Sequence, residues 1–158
     1  MGITKKPLNR DQALQKLRHF CRYQERCHSE ARSKLYKLEI SGKHHDAIIA
    51  SLIEDGYLDE ERFAIAFAGG KFRINQWGKQ KIKYALRQKQ VSEYSIDKGL
   101  RKIVNDEYFA ALKDLAEEKY SSLNENNREL RIKRTTDFLL QKGFEADFVN
   151  NVVAGLSN

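Results

Sequence analysis

Gln88-Lys89-Gln90-Val91 and Gln141-Lys142-Gly143-Phe144 are two versions of one phrase, and the residues around them keep the same spacing. Leu86 and Leu139 stand five residues before the final apolar position of each, Ile96 and Val149 five after it, and Leu100 and Val153 nine after it. The offset is 53 throughout. A looser copy sets Leu35 and Ile40 in the same roles and reaches Ile48 and Leu52 after an insertion of about three residues around 41–43. Self-similarity at such a period marks a repeat architecture, in which units too small to bury a face alone stack in a row.

Within the period, apolar residues recur at three- and four-residue steps: Leu14, Leu17 and Phe20; Phe63, Ala66, Phe67 and Gly70; Ile82 and Leu86; Phe109, Leu112, Leu115 and Ala116. That spacing is helical. Breaks at Ser41-Gly42, Asp55-Gly56, 75–78, Asn105 and 124–127 leave about nine helices. The expected fold is all-α: three tandem three-helix repeats over 11–55, 56–104 and 105–158, behind a tail of residues 1–10, forming an elongated, curved array.

Local chemistry fits this register. Val91 and Ile96 flank the N-cap candidate Ser92 with the spacing of a hydrophobic staple, and Leu58, Asp59 and Phe63 repeat the arrangement. Phe144 and Val149 share the spacing, although Glu145 is a poor cap. Gly56 reads as a helix terminator, and Gly69-Gly70 as a place where a helix ends or loosens.

Nothing in the sequence offers a foothold for catalysis. The carboxylates of Asp59, Glu60 and Glu61 diverge by about 100° per helical position, so they cannot converge as a general acid and base. No nucleophile elbow is present, and Gly69-Gly70-Lys71 lacks the spacing of a phosphate loop. Cys21 and Cys27 read as free thiols. With His28, His44 and His45 they show no zinc-ligand spacing, so neither metal nor cofactor is expected. No apolar run approaches the roughly 20 residues of a membrane span, and residues 1–12 lack the apolar core of a secretory signal. The expected location is the cytoplasm.

Charge is distributed unevenly. Residues 1–37 carry +7 and 38–61 carry −6; 62–92 carry +8 without one acid, and 93–158 carry −2. Solvated surfaces mix signs, so a purely cationic module reads as a surface for nucleic acid or an acidic protein. The candidate residues are Lys71, Arg73, Lys79, Lys81, Lys83, Arg87 and Lys89, grouped around Phe72 and Trp77. Lys79, Lys83 and Arg87 follow at four-residue steps and share one helix face. Trp77 beside Gly78 reads as a packing residue in preference to a base-stacking one.

The run Gly56-Tyr57-Leu58-Asp59-Glu60-Glu61-Arg62-Phe63-Ala64, followed by Phe67 and then Trp77-Gly78-Lys79-x-x-Ile82-x-x-x-Leu86-Arg87-Gln88-Lys89, resembles the central signature of the RecX family. Glu30 to Leu35 resembles its first-repeat motif and Gln141-Lys142-Gly143-Phe144 its last. A monomer without enzymatic activity is expected; the resemblance implies three tandem three-helix repeats. It also implies a partner, the RecA recombinase filament on single-stranded DNA. Proteins of this family lie in the filament groove, oppose its extension and restrain its ATPase, strand-exchange and coprotease activities. The alternative is a helical module that binds DNA or RNA directly. Glu39 and Gln90 stand where the family's turn has Gly, which predicts turns of different shape. Cys27 stands where a Ser cap is common, which makes Ser29 a rival cap.

Overall fold

A computed structural model of the chain describes residues 6–156; the first five residues of the expected tail and the last two of the third repeat lie outside them. The described residues form nine α-helices and one 3-10 turn, with no strand. The first unit holds α1 (Arg10–Tyr23), α2 (His28–Lys37) and α3 (His45–Glu54); the second holds α4 (Glu60–Asn75), α5 (Lys79–Gln88) and α6 (Glu93–Arg101). The third holds α7 (Asn105–Ser122), α8 (Arg128–Gln141) and α9 (Ala146–Ala154). The most extensive helix packing falls within units, led by α4 against α6. Residue 99 is Gly because a Cβ there would stand 2.6 Å from the Ala64 carbonyl oxygen.

The second helix of every unit ends alike. Glu39, Gln90 and Gly143 take φ of 59°, 62° and 99°. The next N–H, of Ile40, Val91 or Phe144, reaches back to the carbonyl of Leu35, Leu86 or Leu139 at 3.1, 3.1 and 3.2 Å. These are the bonds of a Schellman turn. The expectation of differently shaped turns at Glu39 and Gln90 is therefore corrected. Left-handed backbone costs a side-chain-bearing residue roughly 1–2 kcal/mol, and burial of Ile40 and Val91 offsets that cost.

Two further expectations are corrected. Gly69 and Gly70 neither end nor loosen α4, which runs on to Asn75 and stops at Gln76, φ 57°. Gly69 instead lies beneath the Arg73 guanidinium, whose nearest nitrogen would be 2.6 Å from a Cβ. Leu58 joins the core of the first unit and Phe63 that of the second, so they share no cluster. The caps are as read: Asp59 accepts from the Arg62 N–H at 3.0 Å, and Ser92 from the Ser95 N–H at 3.2 Å. Cys27, not Ser29, occupies the N-cap position of α2, and its N–H is met by Glu30 at 3.1 Å.

There are two cores for three units. Ala13, Leu17, Leu35, Ile48, Leu52 and Leu58 belong to the first, while a single cluster from Phe63 to Leu156 fuses the second and third units and takes in Cys27 from the start of α2. At the fused junction, the N–H groups of Gly78 and Gln80 at the start of α5 donate to the carbonyls of Lys142 and Gly143 at 2.8 and 2.9 Å. The start of one helix thus satisfies the end of another, a favourable meeting of opposite partial charges. The junction before it follows the same plan with side chains. At the start of α2, the Ser29 hydroxyl donates to the Lys89 carbonyl at 2.6 Å, and the Lys89 ammonium meets Glu30 at 3.2 Å.

Candidate cationic interface

The seven cations singled out in the sequence lie on α4, α5 and the cap after α5, but they do not form one surface. Residues two apart on a helix diverge by about 200°, so Lys71 and Arg73 occupy opposite flanks, as do Lys81 and Lys83. Two of the seven are already neutralised. Arg87 makes a two-bond pair with Glu93, at 2.6 and 3.1 Å, and Lys89 is held by Glu30. The hydrogen bonds of that first pair shift both groups toward their charged forms, raising the Arg87 pKa and lowering that of Glu93.

Aromatic rings position three others. The Lys71 and Lys81 ammonium groups stand 4.9 and 4.7 Å from the centre of the Trp77 ring, which is half-buried against the core. This is a positioning and packing role for Trp77. Lys79 lies 4.8 Å from the Tyr108 ring centre, and its N–H donates to the Tyr108 hydroxyl at 3.0 Å. That hydroxyl in turn donates to Glu145. Arg73 and Lys83 have no ion-pair partner among the described residues, and neither do Lys71, Lys79 and Lys81. The structure therefore brings together Lys71, Lys81 and Trp77 on one flank, with Lys142 close by through its 3.0 Å bond to the Asn75 carbonyl. Lys142 is a cation that sequence reasoning did not single out.

A second cationic region went unselected as well. Between α2 and the end of α5 lies a groove of about 690 Å3, lined by Arg26, Arg32, Lys34, Lys37 and Lys89 with Phe20 and Tyr36. Its signal was the +7 of residues 1–37. No group of three or more His, Cys, Asp or Glu residues able to hold a metal occurs among the described residues. His45 is buried and bonded to the Ile40 carbonyl at 2.8 Å. Among the described residues, no helix is long and apolar enough to cross a membrane.

Among the described residues, nine helices in three like-ended units, with cations left unpaired at the unit junctions, define a helical-repeat protein that presents charged surfaces. The family model for the second three-helix domain of RecX matches residues 59–100, and that for the third matches residues 106–153. The chain belongs to the RecX family. It is 31% identical over 128 residues to the regulatory protein RecX of Clostridium acetobutylicum, covering 78% of this chain and 59% of that one. It is 37% identical to the RecX of Clostridium perfringens strain SM101, covering 77% and 59%. Its fold is similar to the crystal structure of RecX from Lactobacillus salivarius, with a TM-score of 0.83 at 19% identity, over 92% of this chain and 94% of that one. The chain spans between half and three-fifths of the length of the first curated relatives that it matches.

Proposed function

We propose that this chain is a cytoplasmic regulator that binds the RecA filament on single-stranded DNA and restrains its extension, ATPase and recombinase activity, so modulating DNA repair and recombination. Family membership supports the reading, and one structural observation carries it: Lys71, Arg73, Lys79 and Lys81 have no ion-pair partner among the described residues. Unneutralised cations on a rigid helical unit bind phosphates or acidic side chains by counterion release and steering. The chain needs no chemistry of its own for this. It acts as a monomer, without cofactor or metal, by lying in the groove of the filament and opposing its extension.

DNA-dependent ATP hydrolysis by RecA, measured with and without this protein, tests the proposal. A fall in rate with no ATP hydrolysis by the protein alone is expected; no effect at several-fold excess overturns it. The alternative is a module that binds nucleic acid directly, and the groove beside α2 favours it. Salt titration on bare and RecA-coated strands separates the two, because direct binding gives comparable affinities for both.

A further inference from the structure

We infer that the groove between α2 and the end of α5 is a second, separate binding site, which takes a short stretch of single-stranded nucleic acid directly. Its volume of about 690 Å3 falls within the roughly 300–1,000 Å3 of ligand sites. The charge in it is compensated only in part, since Arg32 pairs with Asp46 at 2.9 Å. Glu30 is the one acid among its lining residues, and it is already engaged by Lys89 at 3.2 Å. Arg26, Lys34 and Lys37 have no ion-pair partner among the described residues.

Two of these cations are held in place. The Arg26 guanidinium lies 3.8 Å from the centre of the Phe20 ring and donates to the Phe20 carbonyl at 3.1 Å, and Lys34 lies 5.6 Å from the same ring. On the other flank of α2 from Lys34, at the opposite rim of the groove, Tyr36 is 63% exposed, and its ring rests edge-on against buried His45, 4.5 Å between centres at 74°. A large, exposed ring on one rim of the groove and positive charges on the other match a base and the phosphates of its strand: the ring stacks, and the cations track the backbone. An acidic peptide would satisfy the cations but give Tyr36 nothing to do. That difference decides for the nucleic acid. The site stands apart from the regulatory reading above, since direct binding to a bare strand requires no RecA.

The test uses the full chain and a labelled oligo-dT strand, with an abasic strand of equal length and a poly-Glu peptide as probes. Lys34→Glu with Lys37→Glu should weaken oligo-dT binding at least about tenfold at low salt and reduce the salt slope by about 1.4, or about 0.7 for each phosphate that no longer meets a lysine. Tyr36→Ala should weaken oligo-dT binding roughly five- to a hundredfold but leave the abasic strand unaffected, and Tyr36→Phe should restore wild-type affinity. Lys102→Glu with Lys113→Glu, exposed lysines of the second and third units, makes the same change in net charge and should do little. Circular dichroism verifies that each variant is folded. Equal losses from both charge pairs, an unchanged Tyr36→Ala, or poly-Glu competing as well as the strand would each overturn the inference.

Discussion

Burial pushes the Cys21 thiol up to about 11 and shifts Cys27 in the same direction. A thiol whose folded pKa lies above its unfolded value keeps its proton longer in the native state. Its contribution to stability is therefore whole below about pH 9 and is lost as pH rises toward 11. Unfolding free energy should fall across that window, and Cys21→Ala should flatten the fall; a curve of identical shape in the variant would refute the assignment. At the turns, Gln90→Gly should relieve left-handed strain and stabilise the chain by about 0.5–1 kcal/mol in urea unfolding, net of the added chain entropy of Gly. Side-chain partners were the least legible part of the sequence. Residues 62–92 contain no acid, yet Arg87 and Lys89 are neutralised by Glu93, one residue past the window, and by Glu30, from another unit. A charge count along the chain cannot see a partner 59 residues away.

Among elements, two glycines of similar appearance have opposite roles. A Cβ on Gly78 would stand 2.3 Å from the Gly143 carbonyl carbon, whereas one on Gly70 would meet nothing within 4 Å. Gly78→Ala should cost roughly 1–3 kcal/mol by forcing α5 off the turn after α8. Gly70→Ala, inside α4, should stabilise by about 0.5–1 kcal/mol. Chemical denaturation of both variants decides the matter, and equal effects would contradict the packing described. The helices themselves were legible because the repeat offset of 53 fixed which apolar residues were equivalent, and Leu86, Leu139, Ile96 and Val149 are all buried as equivalents should be. Gly69-Gly70 misled because glycine lowers helix propensity only weakly against the tertiary contacts of Phe63, Ala64, Ala68 and Phe72.

The whole molecule exposes 10381 Å2 of surface, against roughly 8,200 Å2 for a globule of its size. Its radius of gyration should accordingly exceed the roughly 15 Å of a compact chain of this length, and small-angle scattering at or below that value would count against an elongated array. Most of the first unit's buried residues form their own core, with Cys27 alone of those described joining the other. The remaining contacts are polar ones such as Ser29 to Lys89 and Arg62 to Glu25, so the unit should open separately. Amides of α1–α3 are expected to exchange with solvent by a lower-energy opening than those of α4–α9. The sharing of one core by the second and third units was not legible, because period and hydropathy describe each unit and say nothing of what lies between them.

The joints between units also give the array a sense of direction. In both, the beginning of one middle helix rests on the closing turn of the next, α2 on α5 and α5 on α8, and among the described residues not the reverse. Read from either end, the molecule is therefore a different object, as an arrow is. A strand with its own chemical polarity, laid along such an array, meets it in two inequivalent ways that differ in energy.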